Sequence, residues 1–357
     1  MAEVLQLLSG FSVAATLIPL SSHPHWIVRT FDFIKIQLAV LQLITLAFVM
    51  ISGDWGPVHT ASALCLVYNA GILLKYSPIY KVKIEQPRFR SDSLTLLSAN
   101  VLQFNTDYER FVGMIQQTQP DIFLTMESNE DWDTGMLALE SDYPYLCKIP
   151  LENTYGMHLY SKLPMTTKVH YFVAEDLPSI EAELQTSKGY RFTLFCVHPP
   201  PPSPTEEENS KERDGELLAV AKKIRESGRM STVVVGDFNN VAWSRSSVLF
   251  RKLSETIDPR VGRSLTPTFH AKYWFARFPI DQLFHSTDIH IEELKTLPYF
   301  GSDHLPLYCK FSIGSDKEHQ EEQEELLEEL EEGELEEADE LIAEGVEEEG
   351  DRDDVAT

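Results

Sequence analysis

The sequence predicts an α/β domain that follows a small group of transmembrane helices. The first ninety residues hold three apolar runs with almost no charge inside them. From about Ser91 to Ile313, short β-type runs alternate with amphipathic helical stretches. An almost wholly acidic C-terminal segment sets off the remainder as a tail.

The apolar runs cover about Val4 to Leu20, Phe33 to Ile51 and Val58 to Leu74. Each is close to the ~20 residues that cross a hydrocarbon core, although the first ends at Pro19. Trp26, Trp55, Tyr68, Tyr76 and Tyr80 gather near their ends, as interfacial aromatics do. Lys35 stands at an edge from which its stem can carry the charge to water. A signal peptide fits the first run poorly, because Glu3 occupies a place where basic residues are expected. Buried helices of a soluble domain are the alternative, and three such runs in succession joined by short loops make a membrane domain the better reading. Residues 1–90 are therefore read as a membrane domain of about three helices, placing a multi-pass protein in a lipid bilayer. Arg29 and Lys35 flank the first loop, and Lys75, Lys81, Lys83, Arg88 and Arg90 follow the third run. The loop around Gly53-Asp54-Trp55-Gly56 has no basic residue, so the positive-inside rule puts the following domain in the cytoplasm.

The formal net charge of −26 is unevenly placed. Glu318 to Thr357 carry 21 acidic residues against the single Arg352, a net −20 of the −26, which leaves the rest of the chain only mildly acidic. Sequence this self-repelling predicts that residues 314–357 form a disordered tail or at most a transient helix. The four cysteines (Cys65, Cys147, Cys196, Cys309) are scattered singly. That spacing supports neither a disulfide framework nor a zinc site, and suits packing residues in a reducing compartment. The run Pro199 to Pro204 predicts an exposed, stiff loop.

In the α/β region, 91–313, polar residues sit at the ends of apolar strand-like runs. Asn100 follows Leu96-Leu97-Ser98-Ala99, Glu127 follows Ile122 to Met126, and His198 follows Phe195-Cys196-Val197. Asp237 and Asn239 follow Val233-Val234-Val235-Gly236; Asp281 precedes Gln282-Leu283-Phe284; Asp303-His304 precedes Leu305 to Tyr308. Strand ends are where α/β sheets gather their working groups. Carboxylates and amides are hard oxygen ligands suited to Mg²⁺ or Mn²⁺, and histidines add acid–base capacity. Each alone is ambiguous: Gly236 to Asn239 reads equally as a turn, Glu127 as a charge at a helix N-terminus, and Asp303-His304 as a surface loop. Together they mark a site.

These pieces, in this order, resemble the endonuclease/exonuclease/phosphatase superfamily over about Ser91 to Phe311. The matching segments are Ser98-Ala99-Asn100-Val101, Met126-Glu127-Ser128, Gly236-Asp237-Phe238-Asn239, Ile280-Asp281-Gln282-Leu283-Phe284 and Ser302-Asp303-His304-Leu305-Pro306. The resemblance implies a four-layer α/β sandwich, two packed mixed sheets flanked by helices, and a divalent-metal-dependent phosphoesterase. It implies Glu127 as the main Mg²⁺ (or Mn²⁺) ligand, with Asn100 and Asp303 near the metal. Asp237 would orient or deprotonate the attacking water, Asn239 would hold a phosphate oxygen, and His304, oriented by Asp281, would act at the phosphate. His198 resembles the phosphatase, sphingomyelinase and deoxyribonuclease I branches. The abasic-site repair branch carries a Tyr-x-Pro-Asn type sequence where this chain reads Val197-His198-Pro199-Pro200. The segment Gly156 to Lys162 departs from the family pattern, because His158 replaces a small residue, and Tyr155 is offset by one from a tyrosine common in repair nucleases.

The substrate stays open among a phospholipid, a nucleotide and a nucleic acid, and no protein partner is identified. A membrane anchor favours a phosphoester found at the bilayer. Arg260, Arg263, Lys272 and Arg277, interleaved with Phe269, Tyr273, Trp274 and Phe275, would serve a tethered nuclease as a basic groove. The same run reads equally as a core strand or a lipid-facing loop. An inactive scaffold of the same fold is the non-enzymatic alternative, against which the complete residue set speaks.

Overall fold

In the computed structural model, which describes residues 1–80, 82, 90–228, 231–314 and 317–348, the chain divides into two units. One comprises Met1–Val82 with the segments Pro202–Ser210 and Val261–Leu265; the other comprises Lys83–Pro201, Lys211–Arg260 and Thr266–Thr357.

The first unit is built from four helices: α1 (Ala2–Leu17), α2 (Trp26–Phe33), α3 (Lys35–Ser52) and α4 (Pro57–Lys75). Three stretches, Ala2–Leu20, Lys35–Ser52 and Pro57–Lys75, are long and apolar enough to cross a membrane. Gly53 ends α3 in the left-handed conformation (φ 73°), and Pro57 opens α4 where its missing N–H costs nothing. The polarity of the bundle is inverted relative to a water-soluble one. Leu7, Phe11, Leu43, Phe48, Ile51, Leu64 and Val67 face outward, each more than half exposed, while Ser9, Ser12, Thr16, Gln42, Thr45, His59, Ser62 and Asn69 are buried. The buried groups form a ladder: Ser9 Oγ lies 2.9 Å from His59 Nδ1, and Ser12 Oγ lies 3.1 Å from Ser62 Oγ. Asn69 Nδ2 donates to both Thr16 Oγ1 and Gln42 Oε1 at 3.2 Å. Small and amide side chains joining helices in this way are the usual interhelical contacts in lipid. Lys35, expected to reach water, is instead buried, with its ammonium 5.3 Å from the centre of the Tyr68 ring. Of the basic residues expected after the third span, Lys81, Lys83 and Arg88 lie outside the described residues. The segment around Ser203 is pinned to this unit, since the Trp26 N–H donates to the Glu208 carbonyl and the Ser210 N–H to that of Pro24. The proline run is consequently less open than expected: Pro199 and Pro200 are buried, and Pro204 is its one exposed member.

The second unit contains two mixed sheets flanked by helices. One sheet has the order β10-β11-β1-β2-β4-β3, made of β1 (Leu94–Asn100), β2 (Ile122–Met126), β3 (Tyr145–Ile149), β4 (Met157–Ser161), β10 (Ile289–Thr296) and β11 (Leu307–Ile313). The other has the order β5-β6-β7-β8-β9, made of β5 (Met165–His170), β6 (Ser179–Gln185), β7 (Arg191–Val197), β8 (Thr232–Asp237) and β9 (Asp281–His285). Alternating residues from both sheets, among them Leu96, Leu124, Met157, Leu194, Val233 and Phe311, make the core between them. The opposite face of the first sheet packs Leu97, Phe123 and Tyr160 against α5 (Tyr108–Thr118) and α6 (Glu130–Gly135). The opposite face of the second packs Phe195, Val234 and Phe284 against α7 (Lys211–Glu226) and α8 (Arg245–Ser254). Each sheet contains one parallel pair, β1 with β2 and β7 with β8. The C-terminal ends of these four strands carry Asn100, Glu127, His198 and Asp237.

The expectation of a disordered tail is corrected over the described part of it. Lys317–Glu324 (α9) and Glu334–Glu347 (α10) are helical, and α10 packs on α7. The scattered leucines explain the difference, because Leu330, Ala338, Leu341 and Ile342 join the apolar layer of α7 and α8. Self-repulsion is relieved by cations of those helices: Arg245 pairs with Glu334 and Glu337, Lys252 with Glu331 and Glu334, and Lys222 with Asp339. The close approach depends on two glycines. A Cβ on Gly345 would lie 2.9 Å from the Lys211 carbonyl oxygen and 3.0 Å from the Gly215 Cα. Gly345→Val should therefore lower the stability of the second unit by about 1–3 kcal/mol through overpacking, read as a lower unfolding midpoint of the full chain in detergent.

Candidate active site

Asn100 and Glu127 reach the site from neighbouring parallel strands, β1 and β2. Glu127 adopts the left-handed conformation (φ 58°), which is uncommon for a residue with a long side chain and marks a strained, position-specific turn. The Asn100 Nδ2 donates to Glu127 Oε1 at 2.7 Å, and the Gln103 N–H donates to Glu127 Oε2 at 3.1 Å. Burial pushes the Glu127 carboxyl up to about 7; the Asn100 hydrogen bond, His304 and the Gln103 N–H oppose the rise, and Asp303 adds to it.

Asp237 ends β8 on the other sheet. Its backbone approaches β7 so closely that a Cβ at Gly236 would lie 1.9 Å from the Val197 carbonyl oxygen, which excludes any other residue at 236. Asp237 Oδ2 lies 3.2 Å from Asn100 Nδ2 and 3.6 Å from His304 Nε2, while its Oδ1 accepts the Asn239 N–H. Burial raises the Asp237 carboxyl above the usual range and Asp281 adds to this, against His304 and His198. Asn239 is also left-handed (φ 48°), and its Nδ2 donates to the Pro199 carbonyl at 3.0 Å.

His304 closes the site. Its Nδ1 lies 2.8 Å from Asp281 Oδ2, and its N–H donates to the Ser302 hydroxyl. Burial alone would lower the imidazole, but Asp281 and Asp237 outweigh it and push His304 up to about 10. His198 has the opposite environment. Burial, with His304 adding to it, lowers His198 to about 4 against the pull of Asp237, and its Nδ1 has no hydrogen-bond partner among the described residues. One histidine is thus charged and the other neutral at pH 7. Donor atoms of Asp237, Asp281 and His304 lie within 4.8 Å of one another, a spacing that a metal ion also uses. Their hydrogen bonding fits an acid–base group, since a protonated His304 cannot donate a lone pair. Asp303 is set beside them by its carbonyl, which accepts the Ala271 N–H at 2.6 Å.

The structure brings together Asn100, Glu127, Asp237, Asp281 and His304, with His198, Asn239 and Asp303 around them. Several contributors were not singled out from the sequence. The Ser302 hydroxyl donates to the Asn100 carbonyl at 2.8 Å and so ties the two loops. The Asp237 N–H points to Met126 Sδ at 3.1 Å. Arg213 Nη1 donates to the Asn239 carbonyl at 3.2 Å from the middle of the chain. No spacing rule marks these residues, since each is defined by a contact across elements. Tyr155, set aside because of its offset, lies with its ring 5.4 Å from that of His198. His158 is buried in β4 and faces Tyr160, on the side of the sheet away from Met157.

Two mixed sheets with polar residues converging at their strand ends define a phosphoesterase-type α/β sandwich. The chain belongs to the endonuclease/exonuclease/phosphatase family, whose model matches residues 97–304, more than half of the chain. Members are phosphoric ester hydrolases, and the chain is of that enzyme class. Solved structures agree on the fold. A family protein from Bacteroides thetaiotaomicron is 20% identical with a TM-score of 0.51, covering 64% of this chain and 99% of its own. D. rerio TDP2, solved with a single-stranded DNA product, is 16% identical with a TM-score of 0.52, covering 62% and 99%. A mannosyl-6-phosphatase of Bacteroides thetaiotaomicron is 19% identical with a TM-score of 0.50, covering 61% and 99%. No protein of curated function matches the sequence.

Because His304 is held charged by its carboxylate neighbours, its imidazolium should persist at pH 7 in the metal-free protein and be lost as pH rises through about 10. NMR titration of the His304 ring checks this. Asp281→Asn should bring the midpoint down toward the ordinary histidine value of about 6.5.

Proposed function

We propose that the protein is a membrane-anchored, divalent-metal-dependent phosphoesterase acting on a phosphoester borne by the bilayer, such as a phospholipid. The observation that carries the chemistry is the convergence of Glu127, Asp237, Asp281 and Asp303 around the imidazole of His304. Desolvation raises Glu127, with Asp303 adding to it, and raises Asp237, with Asp281 adding to it; a divalent cation would offset both. Glu127, with Asn100 and Asp303, would hold that ion. Bound there, it would neutralise phosphoryl oxygens and the leaving group.

The roles of the remaining residues follow from their partners. Asp237, raised by burial and facing His304, is placed to take the proton of the attacking water. The water oxygen forms a new bond to phosphorus as the bond to the leaving alkoxide breaks. His304, kept charged by Asp281, stabilises the negative charge that develops on the phosphoryl oxygens. The neutral His198 and the second Nδ2 hydrogen of Asn239 supply hydrogen bonds to those oxygens. The inverted polarity of the bundle of α1, α3 and α4 supports insertion in a membrane, where outward apolar residues meet lipid and the polar ladder stays inside. The basic residues after the third helix favour a cytoplasmic catalytic unit. The full chain is the form to assay, because α10 completes the layer of α7 and α8.

Metal-free protein reconstituted in nanodiscs should hydrolyse neither phospholipid nor bis-p-nitrophenyl phosphate until Mg²⁺ or Mn²⁺ is restored. Glu127→Ala and His304→Ala should each lower kcat by about 10²–10⁴-fold with unchanged circular dichroism. Near-normal turnover by either variant would overturn the site assignment, and preference for plasmid DNA over phospholipid would move the substrate to nucleic acid.

A further inference from the structure

The aromatic and basic run that begins at Phe269 is neither a core strand nor a basic groove. Thr268 and Phe269 pair with Phe278, and the chain between them forms a short loop with one 3₁₀ turn at Trp274–Ala276. At its tip Tyr273, Trp274 and Phe275 are 51%, 81% and 62% exposed. The loop is nevertheless rigidly founded. The Arg277 guanidinium donates to the carbonyls of His270 and Ala271, and the His270 and Tyr273 rings stack edge to face 4.7 Å apart. Its base rests on the active site: the Phe269 ring centre lies 4.9 Å from that of His304, and the Ala271 N–H donates to the Asp303 carbonyl. Tyr299, 39% exposed, continues the aromatic surface and carries the Lys272 ammonium 5.8 Å from its ring centre.

We propose that this tip is an interfacial anchor that enters the headgroup layer of a phospholipid bilayer and presents the pocket beside it to lipid. Three large aromatics side by side on a rigid tip leave apolar surface in water that lipid would cover, and Trp and Tyr are the residues suited to the membrane–water boundary. Charge complementarity points the same way. From Phe269 to Pro279 the chain has Lys272, Arg277 and His270 but no carboxylate, in a protein of net charge −26. An anionic headgroup layer attracts such a surface. Two of the four basic residues that a nucleic-acid groove would use are otherwise engaged: Arg260 is buried against Asp258 and Gln282, and Arg277 donates to the loop's own carbonyls. The same polypeptide carries three helices of membrane-crossing length, so a bilayer is always at hand. The consequence for turnover rests on the phosphoesterase reading above, whereas contact with lipid does not.

The test uses the full chain in proteoliposomes containing anionic phospholipid. Brominated lipids quench tryptophans at the membrane boundary, and subtracting the signal of Trp274→Phe isolates Trp274 from the other four. Quenching of Trp274 is expected, and its absence would overturn the anchor whatever the enzyme assays show. The double variant Trp274→Ala, Phe275→Ala should lower hydrolysis of bilayer-borne phospholipid about tenfold, as loss of buried aromatic area implies, yet leave soluble bis-p-nitrophenyl phosphate within twofold. An equal fall on both substrates would overturn the anchor as a presenting device. Quenching of Trp274 by single-stranded oligonucleotide but not by brominated lipid would replace the bilayer with a nucleic acid. Quenching by lipid in a protein that hydrolyses nothing would uphold the anchor and overturn the phosphoesterase reading alone.

Discussion

The packing of one sheet on the other is the constraint on which the site depends, because neither sheet carries a complete set of groups. Asn100, Glu127 and His304 belong to the six-stranded sheet and its loops, while Asp237, Asp281 and His198 belong to the five-stranded one. Among the contacts that cross the gap are Asn100 Nδ2 to Asp237 Oδ2 at 3.2 Å, His304 Nδ1 to Asp281 Oδ2 at 2.8 Å and the Asp237 N–H to Met126 Sδ at 3.1 Å. The apolar layer of Leu96, Leu124, Leu194 and Val233 beneath them sets the spacing. A shift between the sheets would therefore act on catalysis without touching a polar residue.

Burial does two things at once in this site. It separates the two histidines, since Asp281 and Asp237 outweigh burial at His304 and keep it charged, while burial prevails over the pull of Asp237 at His198 and keeps it neutral. It also leaves the carboxylates insufficiently compensated, with Glu127 pushed up to about 7 and Asp237 raised as well. The strain at Glu127 and Asn239, both left-handed, belongs to the same economy of position: the backbone turns sharply so that the side chains face one another. Apolar burial lies elsewhere, in the core between the sheets and in two layers outside them, one of which the C-terminal helix completes.

The outer surfaces of the two units obey different solvent rules. In the helical unit Ser12, Thr16, Gln42 and Asn69 are buried while Leu7, Leu43, Leu64 and Val67 are exposed. In the catalytic unit apolar side chains are mostly internal, and the aromatic tip at Trp274 is a conspicuous exception. That aromatic cluster is founded on a loop whose Phe269 ring packs 4.9 Å from that of His304.

Composition and period alone determined much of this protein. Runs of about twenty apolar residues require a membrane-length helix, and alternating short runs require a layered α/β domain, because each pattern is a local consequence of burying side chains at a fixed spacing. The acids, amides and histidines at strand ends were legible for the same reason. What the sequence could not reveal depended on distant partners. Ser302, Met126 and Arg213 act through contacts with residues far along the chain. The acidic tail reads as self-repelling until the cations of α7 and α8 and the glycine contact at Gly215 and Gly345 are in place. Arg260 and Trp274 have similar claims to a ligand in the sequence, yet folding buries one in an ion pair and leaves the other in solvent. Local pattern specifies which residues can serve, and tertiary packing decides which remain available, because burial and charge pairing are properties of neighbours that sequence order does not place.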